Sequence, residues 1–306
     1  MNRKILSIFA AVLAVVFVSC NNGNDINESN KGSFDSTTET LKTSVSETSK
    51  NPYAFLGEMH NKGLKEGLKA FYYSDLNRED VSEKEITDFV SQFTVDFVTQ
   101  EIVRLENVED EAALRQSLQE SIGNSNFQWC AIASLEDVKS EIEKSKLTDF
   151  QKENLKMLMK IISTNDDALS EKLETFENEI LDSKVSDEEK MPVLAVSAIS
   201  RSSLEFWTEH VVSINGYRGG ANVIVKENGD IFLVVESGSK TALNIFGADA
   251  AGAVGGIIGG VIGGHAAAGL MFGPGGIVLT LAGDAVLGAI SGSITGGIGA
   301  MLKKWF

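Results

Sequence analysis

Histidine and cysteine are the residue types most able to bind a metal or act as nucleophile and base. This chain has three of the first, His60, His210 and His265, and two of the second, Cys20 and Cys130. Metal sites and nucleophilic centres need such groups at short, recurrent spacings. The sequence contains no HExxH, no CxxC pair, no GxxxxGK[ST] phosphate loop and no GxSxG elbow. Glu58 and His60 are two residues apart, so on a helix they face different directions. His60 therefore reads as a core or capping histidine rather than a ligand. Ser237-Gly238-Ser239-Lys240 spells SxxK, but it reads as a Gly/Ser loop with no helix behind it and lacks the companion motifs. Cys130 lies in the apolar stretch Phe127-Gln128-Trp129-Cys130-Ala131-Ile132 and reads as a buried thiol with no base near it. The numerous carboxylates offer no distinguishable acid/base pair. The expectation is a protein that is not an enzyme, with no metal and no cofactor.

Composition narrows the partners. With 27 Lys+Arg against 43 Asp+Glu the net charge is −16 over 306 residues, which leaves nothing to neutralise a phosphate backbone and argues against nucleic acid. The charge is uneven, with a charged middle and an almost uncharged C-terminus.

Residues 1–19 read as an export signal. Arg3 and Lys4 precede a run from Ile5 to Val18 that only Ser7 interrupts, too short for a comfortable bilayer span and suited to a secretory h-region. The run ends in Phe17-Val18-Ser19-Cys20, which resembles the lipobox of bacterial lipoproteins, with Phe17 where that pattern prefers Leu. The resemblance implies that Cys20 becomes the acylated mature N-terminus, carrying chains such as palmitate. Each buried CH₂ of such a chain adds about 0.8 kcal/mol of membrane affinity. The other reading of the segment is an ordinary signal peptide with a chance cysteine, or an uncleaved anchor.

Residues 20–50 hold that cysteine and a polar tether. Five Asn, six Ser and five Thr fill residues 21–50, and a flexible chain of that length spans roughly 30 Å. Asn22, Asn24 and Asp25 lie where lipoprotein sorting signals occur. A helical domain is expected over 51–207. Asn51 and Pro52 suit an N-cap and first helical position. Leu56, His60, Leu64, Leu68, Phe71 and Tyr72 then follow at helical spacing. Ser82 with Glu85 forms a capping box for a second helix, and further helices are expected over 109–121, 134–146, 148–163 and 166–182, and from Ser186 to about Trp207. Residues 208–245 read as a linker containing one β-hairpin, Val223-Ile224-Val225 and Ile231 to Val235 around Asn228-Gly229.

Residues 246–306 carry 18 of the 29 glycines and no charge between Asp249 and Asp284. Gly252, Gly256, Gly260 and Gly264 fall four apart, as do Gly255, Gly259 and Gly263, and later Gly288, Gly292 and Gly296. Spacing of four puts each row on one helix face, and side-chain-free faces let backbones approach closely. Seven glycines within 250–264 cost an isolated helix in water about 7 kcal/mol relative to alanine. The segment must therefore be a membrane hairpin, a hairpin buried in a soluble fold, or a disordered tail; the membrane hairpin is favoured. Two apolar helical runs, 250–271 and 277–302, would turn at Gly273-Pro274-Gly275-Gly276, with Lys303, Lys304 and Trp305 at the interface. In that geometry His265 and Asp284 sit at similar depth and could pair, making insertion pH-sensitive. The alternative is that Asp284 caps the second helix and both groups reach water.

The tail resembles the glycine-zipper domains of bacterial envelope proteins. Together with Asn51-Pro52-Tyr53, Gly57 and His60-Asn61, the chain resembles envelope lipoproteins of the Bacteroidota type. That resemblance covers architecture and a short motif, and it implies no catalytic residues. The expected whole is mainly α: a helical domain with a small β-hairpin and a C-terminal glycine-zipper helical hairpin. Its expected place is the cell envelope, the outer membrane before the inner. Its expected partners are membrane lipid and a second copy through the glycine faces. The rival reading is a membrane-active, bacteriocin-like protein that resembles pore-forming colicins in storing its hairpin in a soluble fold.

Overall fold

The computed structural model describes residues 50–78, 81–105, 110–124, 135–164, 168–213, 222–235, 238–263, 270–272, 277–279, 289 and 292–298. The signal, Cys20, the tether, Cys130, His265 and Asp284 lie outside the described residues. The fold is mainly α with a small sheet: α1 Ala54–Tyr73, α2 Glu83–Leu105, α3 Glu111–Asn124, α4 Leu135–Lys144, α5 Asp149–Ile162, α6 Leu169–Asp182, α7 Asp187–His210, strands β1 Val211–Ser213, β2 Asn222–Val225 and β3 Ile231–Val235, α8 Gly238–Gly263, and strands β4 Leu270–Phe272 and β5 Ile277–Leu279. A further helical segment covers 292–298.

Local chemistry accounts for most helix starts. Glu85 N–H donates to Ser82 Oγ at 3.2 Å and Ser82 N–H donates back to Glu85 Oε2 at 2.8 Å, the reciprocal capping box. Thr148 and Gln151 close the same device before α5, and Ser186 Oγ accepts from Glu189 N–H before α7. At α1 the capping differs from expectation. Asn51 Oδ1 accepts from Tyr53 N–H at 2.9 Å and Asn51 O accepts from Ala54 N–H at 3.1 Å, so a side-chain-held turn precedes the helix and regular winding starts at Ala54.

The hairpin forms where Asn228-Gly229 places it. Gly229 takes φ +81°, a value glycine adopts without strain, and Lys226 N–H donates to Asp230 O at 2.8 Å. A third strand was not legible. The sheet has the order β1-β3-β2, with β1 parallel and β2 antiparallel to β3. β1 is only three residues and follows α7 directly, too short to show an alternating pattern.

Two further expectations are corrected. Residues 236–245 are not linker throughout, because α8 begins at Gly238, so a helix does stand behind the SxxK letters. Ala242, Ile245, Phe246, Ala250, Ala253, Val254, Ile257 and Ile258 are buried at helical spacing and override the Gly/Ser signal. The helical runs 250–271 and 277–302 are also interrupted. Leu270–Phe272 pairs antiparallel with Ile277–Leu279, since apolar and β-branched triplets flanking Gly-Pro-Gly-Gly meet hairpin chemistry before helix chemistry.

The core centres on α7 and α8. The α7 helix packs on α1, α5, α6 and α8, and α8 also meets α3, α4, α5 and β1. Trp207, Phe71, Phe176, Phe246, Leu64 and Leu68 are fully buried. Among the described residues no helix is long and apolar enough to cross a membrane.

Candidate functional site

Four helical pieces converge on one carboxylate. Asp249 is the single charged residue between Lys240 and Asp284, and α8 turns it inward among Phe246, Ala250 and Ala253, at zero exposure. Ser203 and Trp207, four apart on one face of α7, both donate to its Oδ2, at 2.5 and 2.6 Å. From α1, His60 Nε2 lies 3.4 Å from the same oxygen, and both side chains are fully buried. His60 Nδ1 meets Asn61 Oδ1 at 3.0 Å, and Asn61 Nδ2 donates to Ser202 O at 2.9 Å, so the ring orientation is fixed through α7 as well. From 292–298, Gly297 completes the enclosure. A Cβ there would overlap Asp249 Oδ1 and lie 2.8 Å from its Cγ and 2.9 Å from Leu64 Cδ2. Among the described residues Oδ1 and His60 Nε2 find no hydrogen-bond partner.

The residue types Ser, His and Asp invite comparison with a hydrolytic triad, and the geometry separates them from one. A triad needs the serine bonded to the imidazole and the imidazole to the acid. Here Ser203 bonds the carboxylate itself. Ser203, Trp207, His60 and Asp249 are all at zero exposure. The arrangement can hold three elements together around a buried charge, which is costly unless hydrogen-bonded and paired.

The glycine rows meet beside this cluster. A Cβ on Gly252 would lie 2.9 Å from Gly292 C and 3.3 Å from Ser293 Cα, and closer still to Gly292 O. A Cβ on Gly292 would lie 3.1 Å from Gly252 C and Gly256 Cα, and one on Gly296 would lie 2.7 Å from Ala248 O. Gly252, Gly256, Gly292 and Gly296 therefore share one backbone-to-backbone seam between α8 and 292–298. Gly260 lies on α8, while Gly264 and Gly288 lie outside the described residues. The opposite face of 292–298 packs on α1. Ile294 Cδ1 and Ile298 Cδ1 fill the spaces that Cβ atoms on Gly63 and Gly67 would take, and Thr295 meets Thr94 of α2 at 3.2 Å between hydroxyl oxygens. Gly57 allows α1 against α7, where a Cβ would meet Ser202 and lie 2.8 Å from Ala198 O.

A second buried carboxylate is structural. Glu177 of α6 accepts from Asn51 Nδ2 at 2.8 Å, Ser197 Oγ at 3.1 Å and Arg201 Nη1 at 2.7 Å. His210 stacks on Phe206 with ring centroids 4.1 Å apart, and Phe206 O accepts from its Nδ1 at 2.8 Å; burial holds its pKa below the ordinary value. Among the described residues no group of three His, Cys, Asp or Glu could hold a metal ion.

Sequence reasoning did not single out Asp249, Ser203, Trp207, Gly297, Gly63 or Gly67. Asp249 carried a usable signal, a lone charge in a long uncharged stretch. Ser203 and Trp207 carried none, because a serine and a tryptophan four apart on a buried helix look like ordinary core.

Comparison with protein families, with curated proteins and with solved structures finds no match to this chain. What the fold and the site define is a class: a mainly-α protein with a small sheet, whose glycine-rich helix is locked inside its body.

Proposed function

We propose that this is a non-catalytic cell-envelope lipoprotein, anchored through an acylated Cys20, whose glycine-rich segment packs at the membrane and associates helices through its glycine faces. The observation that carries it is the uncharged, glycine-rich run between Asp249 and Asp284; the seam at Gly252 and Gly292, where two helices of the one chain touch backbone to backbone, supports the helix-association part. The lipobox-like Phe17-Val18-Ser19-Cys20 supports the anchor, and membrane lipid is the partner on this reading. The outer membrane is its proposed place. Fractionation tests it. Wild-type chain should enter the membrane fraction and incorporate labelled palmitate, and Cys20→Ala should lose the label. Label retained in Cys20→Ala would refute acylation at that residue.

A second reading is favoured by one observation: α8 is held inside the body by apolar burial. A membrane-active protein stores its inserting segment in that way. Added protein should then release dye from vesicles; no release at any protein-to-lipid ratio would remove this reading.

A further inference from the structure

The buried acid of α8 has a second meaning once its position along the helix is considered. From Ala250 to Gly263 the helix carries no charge, and its glycines offer a flat face. The body holds this half of α8 through apolar contacts and, at its start, through Asp249. That carboxylate takes hydrogen bonds from Ser203 and Trp207 of α7, stands 3.4 Å from His60 of α1, and lies against Gly297. Apolar contacts are non-directional and a lipid interior can replace them. The hydrogen bonds to Asp249 cannot be replaced in hydrocarbon, where a bare carboxylate is strongly disfavoured.

We infer that Asp249, held by hydrogen bonds from Ser203 and Trp207 beside His60, is an autoinhibitory catch that retains residues 250–263 in the body and withholds them from a lipid bilayer. The inference rests on the reading that this segment packs at a membrane. The catch works by asymmetry: docked, the carboxylate holds two hydrogen bonds through Oδ2; released, it must stay in water or be buried without donors. Removing the charge while leaving the side-chain shape weakens the docked state and also removes the barrier to lipid.

Hydrogen exchange on the full-length chain, with and without vesicles of phosphatidylethanolamine and phosphatidylglycerol (3:1), tests it with Asp249→Asn. Breaking a buried, hydrogen-bonded charge contact shifts an opening equilibrium on the order of 10²-fold or more. Amides of 250–263 should therefore exchange about 100-fold faster, while those of α5 and α6 keep wild-type protection. Ser203→Ala, which removes one donor and leaves the charge, should show about 10-fold. Leu173→Ala, a destabilising change on α6, should speed exchange throughout the body rather than in 250–263 first. Added vesicles should restore protection of 250–263 in Asp249→Asn. Faster exchange in 250–263 without vesicle rescue would uphold the catch and overturn the membrane reading. Unchanged exchange in both variants, or loss of protection in α5 and α6 together with 250–263, would overturn the catch itself.

Discussion

Two glycine-to-alanine substitutions on the same helix should move stability in opposite directions. Alanine at either position relieves the conformational freedom of the unfolded chain and improves helix propensity, worth about 1 kcal/mol. At Gly247 nothing lies within 4 Å of the added methyl, so Gly247→Ala should keep the full gain. At Gly252 the methyl would sit 2.9 Å from Gly292 C and 3.3 Å from Ser293 Cα, against ordinary contacts of about 3.5–4.0 Å. The obstructing atoms are backbone and cannot rotate away, and Gly292 O lies closer still, so α8 and 292–298 must move apart. Overpacking of this kind costs about 1–3 kcal/mol, toward the upper end where backbone must move. Gly252→Ala should thus be less stable than wild type by about 1–2 kcal/mol, and less stable than Gly247→Ala by about 2–3 kcal/mol. Urea unfolding followed by far-UV circular dichroism measures both, with the slope m checking that the transition is unchanged. Gly292→Ala should cost a similar amount. The double variant Gly252→Ala/Gly292→Ala should cost less than the sum, because one separation accommodates both methyls. Equal stabilisation by Gly247→Ala and Gly252→Ala would refute the seam.

Other consequences follow from side-chain packing and charge. Gly63→Ala pushes against Ile294 Cδ1 and lies 2.9 Å from Phe97 Cε1; its stability loss, by the same unfolding assay, should shrink when Ile294→Val removes the Cδ1 methyl. Arg201→Met leaves the Glu177 carboxylate buried without its 2.7 Å guanidinium partner and should cost about 3–5 kcal/mol, read as a fall in the urea midpoint; a loss below about 1 kcal/mol would contradict the pairing. The Glu85 carboxyl is held at about 2, below its ordinary 4.5, first by the Ser82 N–H, then by the Ser82 hydroxyl and by Arg78. A depressed acid stabilises the fold above its unfolded value and loses that contribution as pH falls, here from about 4.5 down through about 2. Ser82→Ala should raise the Glu85 midpoint partway toward 4.5 in an NMR titration, the backbone donor remaining.

What could be read from the sequence was what is local. The capping box at Ser82/Glu85 joins residues three apart, so its helix stood out. The Asn228-Gly229 turn named its hairpin for the same reason. The four-residue glycine rows disclosed that close helix contact was intended, and Gly252 and Gly292 make it. They did not disclose the partner: a flat face suits lipid-embedded helices and a buried seam equally, and the 7 kcal/mol helix cost in water is offset once α8 buries Phe246, Val254 and Ile257. The Asp249 cluster was illegible because its members lie 42 to 189 positions from Asp249: Ser203 and Trp207 from one helix, His60 from near the start of the domain, Gly297 from near its end. No spacing rule connects such positions. β1 was missed because it is only three residues long and pairs with β3, which lies beyond β2 in the chain.

The claim on which the account turns is that the C-terminal glycine-rich segment folds back onto the helical body. Thr94 of α2 and Thr295 of 292–298 approach to 3.2 Å between hydroxyl oxygens, so cysteines at these positions place their sulfurs side by side, as a disulfide requires. In a Cys130→Ala background, Thr94→Cys/Thr295→Cys chains made in their native envelope should form an intrachain disulfide, seen as a faster-migrating monomer on a non-reducing gel and abolished by reductant. Free, readily alkylated thiols at both positions in folded protein would contradict it.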